Sequence, residues 1–128
     1  MITKAIIIED LHFENESWRK ELHFWEDELK CFMHRLEELA SRSTDRRLLV
    51  ELEQYQNQFI IHQNALNEFI EQISAHERNI AETLKTSYEP EGVSLYNMHK
   101  AFREKMDTER KLFHALKKRF FRFLEKYM

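Results

Sequence analysis

Glycine, proline and cysteine each occur once in this chain, as Gly92, Pro90 and Cys31. A lone glycine excludes the nucleotide-binding fingerprints, whose loops need several residues without a Cβ so that the backbone can close on phosphates. A lone cysteine excludes an internal disulfide. Cys31 also follows no glycine-rich turn and falls in mid-helix, where nothing activates it as a nucleophile. Long apolar runs are missing as well: no stretch approaches the roughly 20 residues that span a bilayer. The opening Ile6-Ile7-Ile8 meets Glu9-Asp10 with no small-residue cleavage site, which makes a poor secretory signal and favours a cytoplasmic chain with Cys31 reduced.

What remains is a composition of helix formers, 34% charged and 42% hydrophobic with ten Phe and two Trp, which is helix with a packed face and not disorder. At 128 residues the chain is read as one domain, 1–128. Leu11, Asn15, Trp18, Leu22, Trp25, Leu29, Phe32, Leu36 and Leu39 alternate spacings of four and three, one stripe on one helix over about 9–42. Thr44 is a candidate N-cap for a second helix over about 45–86, whose stripe runs from Leu48 through Phe59, His62, Leu66 and Phe69 to His76, Ile80 and Thr83. Pro90 and Gly92 mark the second turn. Ser94 then caps a third helix over about 94–127, with Leu95, His99, Phe102, Met106, Glu109, Phe113, Leu116, Phe120, Phe123 and Tyr127 on its stripe. Short connections make successive helices antiparallel, so the fold predicted is an all-α, up-down-up bundle of three long helices with coiled-coil-like packing.

Charge is unevenly placed. From His99 onward ten Lys and Arg face four Asp and Glu, while the preceding residues hold ten against nineteen. The basic third helix is therefore expected to lie along an acidic hairpin, its charges flanking the apolar seam. The basic aromatic segment 117–123 suggests an anionic membrane surface as a weaker alternative, but Phe120 and Phe123 are already committed to the stripe. Nucleic acid is not expected, because the acidic remainder would repel phosphate.

Polar residues inside a seam require a cause. If positions at equal height sum to about 87 across the first turn and about 180 across the second, then His12, Asn15, Glu16, Gln72, His76 and Glu109 share one level. His23, Asp27, His62 and His114 share another. Imidazoles and carboxylates gathered in a bundle core suit zinc or iron. His12, Glu16, His76 and Glu109 form the first candidate metal set and His23, Asp27, His62 and His114 the second. The paired Glu-x-x-His signature of a carboxylate-bridged di-iron bundle is missing, since only Glu9 to His12 has that spacing. Three His–carboxylate pairs, His12–Glu16, His23–Asp27 and His34–Glu38, recur every eleven residues along one face of the first helix. The plainer account is that seam polars fix register and pair with neighbours.

Off the seam stand Phe13, Phe24, Ile61 and Phe121, candidates for an interaction surface. The function expected is a non-enzymatic interaction or structural module that self-associates or takes a helical protein partner, with a metal-binding bundle for metal handling or oxygen sensing as the alternative.

Overall fold

Asp45 starts the second helix. Its Oδ1 accepts the Arg47 backbone N–H at 2.9 Å, and its own N–H donates to Ser43 Oγ at 3.1 Å, so Asp45 rather than Thr44 supplies the cap. The computed structural model describes residues 4–85 and 89–127, in three helices: α1 Lys4–Arg42, α2 Arg46–Lys85 and α3 Glu89–Tyr127. No strand occurs among the described residues. The helices run up, down and up, each about 60 Å long at 1.5 Å per residue.

Two boundaries differ from those the sequence suggests. α1 begins at Lys4, which brings Ile8 into the interior beside Leu11, Ile80 and Leu95; the side chains of Ile6 and Ile7 lie outside the described residues. α3 begins at Glu89, so Pro90 and Gly92 occupy its first turn and Ser94 lies within the helix. A proline there has no i→i−4 bond to lose, and no described glycine has positive φ, so the pair opens the helix instead of breaking the chain. The connection itself, 86–88, lies outside the described residues. Moving this pivot shifts every α3 residue by about one helical turn against α2 relative to the expected heights.

The stripes pack as the spacing requires. Trp18, Leu22, Leu29, Leu36, Phe59, Leu66, Phe69, Ile73, Met106, Phe113, Leu116 and Phe120 form one buried cluster along most of the rod. Phe59 has no exposed surface and is ringed by Phe32, Tyr55 and Phe120 at centroid distances of 5.8, 6.1 and 5.0 Å. Each such ring or Leu contributes about 1.5–3 kcal/mol by leaving water. Toward the other end a second, smaller cluster holds Ile8, Leu11, Ile80 and Leu95.

Heptad neighbours of the stripe set the order of the helices. Glu14, Glu21 and Glu28, spaced by seven on α1, meet Arg103, Arg110 and Lys117, spaced by seven on α3, with closest contacts of 2.5, 2.8 and 2.5 Å. This is the ladder expected between parallel helices, and it fulfils on one side the pairing of basic α3 with the acidic hairpin.

Candidate functional site

The two apolar clusters are separated by a polar layer. Asn15 of α1, His76 of α2 and His99 of α3 are at most 1% exposed and lie between Trp18, Ile73 and Met106 on one side and Leu11, Ile80 and Leu95 on the other. Each sits on its stripe because the four-three spacing places that position inward whatever its chemistry.

A hydrogen-bonded chain crosses all three helices in this layer. Glu14 Oε1 lies 2.7 Å from His99 Nε2, and His99 Nδ1 lies 2.8 Å from His76 Nε2. Arg103 closes on the same carboxylate at 2.5 Å. An ionised carboxylate only accepts, so His99 donates from Nε2; its Nδ1 then accepts, and His76 donates from Nε2. That assignment leaves His76 Nδ1 a lone pair, buried and without a hydrogen-bond partner among the described residues. Trp18 stacks on His99 at 4.5 Å and Phe102 lies 4.8 Å from His76, so the imidazoles are held between aromatic faces.

These surroundings favour neutral rings. Burial, reinforced by His99, lowers His76 from 6.5 to about 4. Burial also lowers His99, against the opposing pull of Glu14. The hydrogen bond from Arg103 holds Glu14 below the ordinary glutamate value in spite of its partial burial. The charge in the layer is therefore carried by Glu14 and Arg103 at its rim, with two neutral imidazoles inside.

Asn15 anchors the α1–α2 side. Its Nδ2 donates to the Ile73 carbonyl at 3.2 Å and to Glu77 Oε2 at 2.8 Å, while His12 Nδ1 bonds the other oxygen of Glu77. Asn15 Oδ1 is buried with no partner among the described residues. An orphaned acceptor of this kind costs about 1–3 kcal/mol.

The candidate metal sets are not assembled. His12 is engaged by Glu77, Glu16 by Arg19 at 2.9 Å and His76 by His99. Glu109 lies beside His62, whose protonation its charge favours, and away from the layer. Gln72 meets Lys105 at 2.8 Å, the residue one turn before Glu109, as the displaced pivot requires. In the second set His23 is exposed and leans toward Glu26 at 3.7 Å, Asp27 is exposed, His62 faces the edge of Phe113, and His114 lines a groove between α1 and α3. Burial lowers the pKa of His62. Among the described residues no group of three or more His, Cys, Asp or Glu side chains is placed to hold a metal ion. Of the three eleven-residue pairs only His34–Glu38 closes, at 3.3 Å.

His99 stands on its predicted stripe but outside both expected clusters, and Glu14, Arg103 and Glu77 belong to neither. The signal that identifies Glu14 and Arg103 is the shared seven-residue spacing of Glu14-Glu21-Glu28 and Arg103-Arg110-Lys117.

The surface candidates are all exposed, but they fall on different faces. Phe24 lines the α1–α3 groove beside His114 and Lys117, and Phe121, one turn beyond Lys117 on α3, meets Phe32 in an edge-type contact at 5.7 Å. Phe13 projects from the outer side of α1, whereas the heptad position of Ile61 turns it toward the α2–α3 side. In segment 117–123, Phe120 and Phe123 are in the core, Lys117 is paired with Glu28, and Lys118, Arg119, Phe121 and Arg122 face outward. No helix among the described residues is long and apolar enough to cross a membrane. Compared with protein-family models, curated proteins and solved structures, the chain matches none.

Proposed function

We propose that the bundle is a non-enzymatic interaction module that self-associates through its α1–α3 edge. The observation that carries this is the exposure of Phe24, 61%, in the α1–α3 groove and of Phe121, 42%, one turn beyond that groove on α3, in a molecule whose core is already filled by other aromatics. Large apolar side chains clustered along one edge are the usual mark of an interface. Two rows of opposite charge run along the same edge, Glu21 and Glu28 on α1 beside Arg110 and Lys117 on α3. A twofold axis along the rod would set α1 of one copy against α3 of the other, acid row facing basic row, so the edge complements itself. The non-enzymatic part rests on the polar layer, where the imidazoles best suited to move a proton are sealed from solvent.

Sedimentation equilibrium tests the proposal. The wild-type chain is expected to dimerise, and the double substitution Phe24→Ser with Phe121→Ser to weaken the dimer at least ~100-fold, the effect of about 2.7 kcal/mol of lost ring burial. A wild-type chain that is monomeric at about 100 μM, where any dimer of micromolar affinity is populated, would contradict it. So would a double variant that associates as tightly as wild type.

A further inference from the structure

Only one flank of α3 is neutralised. Toward α1 every rung of the ladder has a carboxylate, but toward α2 the corresponding row, Lys105, Arg119 and Lys126, shares its seam with Gln72, Gln58 and Glu51. Lys126 takes Glu51 at 2.9 Å and Lys105 settles on the Gln72 amide oxygen. Arg119 and Arg122 are exposed and have no ion-pair partner among the described residues. From Gln54 to Asn67 α2 contains no Asp or Glu; it offers amides instead. Arg119 and Arg122 thus leave unpaired positive charge on this seam, in addition to the exposed Lys100, Lys111 and Lys118 elsewhere on α3.

The seam is indented there. A groove of about 400 Å³ lies between α2 and α3, walled by Glu51, Gln54, Gln58, Arg119, Arg122 and Lys126 with Tyr55 set into it. Tyr55 donates to the Arg119 carbonyl at 3.0 Å and packs on Phe123 at 5.0 Å, which ties this part of α3 to α2. The geometry points to a binding site for a compact polyphosphate anion, the di- or triphosphate group of a small ligand.

Guanidinium forks match phosphate oxygens in pairs, the glutamine amides add neutral donors, and the Glu51 carboxylate at the end of the groove is already paired with Lys126. Along the helix Arg122 lies about 4.5 Å beyond Arg119, a span suited to two linked phosphates, and Lys126, shared with Glu51, lies about 10.5 Å beyond Arg119 at the end of the groove. A longer polyanion or an anionic bilayer fits less well, because beyond the groove it would meet the acidic residues of the α1–α2 hairpin in a chain of net charge −3. The groove lies on the side of the bundle away from Phe13 and Phe24, so this site and the self-association edge stand or fall separately.

Titration calorimetry with sodium triphosphate as the probe, in a low-salt buffer, tests the assignment. One saturable site is expected on the wild-type chain. The double substitution Arg119→Gln with Arg122→Gln is expected to weaken it at least tenfold, while Lys100→Gln, on the exposed face of α3 nearer its start, leaves it unchanged. Both positions of the double variant are exposed, so its urea midpoint should match wild type and exclude misfolding as the cause. Absence of saturable binding would overturn the assignment, as would equal affinity in the double variant. Tighter binding to a single-stranded RNA oligomer or to phosphatidylserine vesicles than to triphosphate would also overturn it, and would make the seam a polyanion or membrane surface.

Discussion

Acidification from pH 7 to pH 4 is expected to remove on the order of 3 kcal/mol of unfolding free energy through His76 alone. Folding lowers this imidazole from 6.5 to about 4. Between those values the unfolded chain takes up a proton that the folded chain refuses, so stability falls as pH falls across that window and is level above it. The side chain is almost wholly buried, so little of the effect is screened by solvent. His99 acts in the same direction. Glu14, held low by Arg103, adds its own loss only below the ordinary glutamate value of 4.5. The charged and titratable groups around the pair are His12 and Glu14 from α1, Glu77 from α2 and Arg103 from α3, and none of them places a carboxylate in hydrogen-bond contact with His76. Urea unfolding at a series of pH values measures the slope, up to about 1.4 kcal/mol per pH unit for one proton. His76→Gln retains a donor for His99 Nδ1 and does not titrate, so it is expected to flatten most of that slope. A wild-type stability that stays level from pH 7 to pH 5 would refute the burial argument.

Phe59→Ala is expected to cost about 3–5 kcal/mol, since it removes a fully buried ring and leaves a cavity that helices fixed by short connections cannot close. Phe32, Tyr55 and Phe120 each lose a ring contact at once. Phe24→Ser removes a ring of similar size that is already mostly in water and should leave the unfolding free energy within about 0.5 kcal/mol of wild type. Equal effects of the two substitutions would mean that Phe59 does not occupy the centre of the bundle.

The stripes were legible because a coiled-coil seam repeats its demand at every turn. Leu22, Leu29, Phe59, Leu66, Phe113 and Phe120 each follow from the same four-three spacing, and an error at one position does not propagate. The layer was only half legible. Asn15 and His76 were recognised as seam polars, but their partners on α3 depended on one pivot. Pro90 was taken for the turn because proline disrupts helix interiors, whereas in the first turn of α3 it disrupts nothing. The shift of about one turn put Glu109 opposite Gln72, where Lys105 stands, and removed His99 from the level of His76. A grouping that appeared to offer metal ligands became, one turn away, two imidazoles that bond one another. The α1–α2 pairing depended on the short 43–45 connection and survived, as Asn15 against Ile73 and Glu77 shows. The choice of Glu77 over Glu16 as the partner of His12 turns on packing between helices, which no spacing within one helix reveals.

The sealed chain from Glu14 through His99 to His76 is tested most directly by histidine side-chain NMR on the nitrogen-15-labelled protein. His76 and His99, assigned by single substitutions, should both appear as neutral Nε2–H tautomers at pH 7, and His76 should remain neutral at pH 5. Titration of both inner rings near the ordinary value of 6.5 would place them in water and contradict the layer and the three-helix contact that builds it.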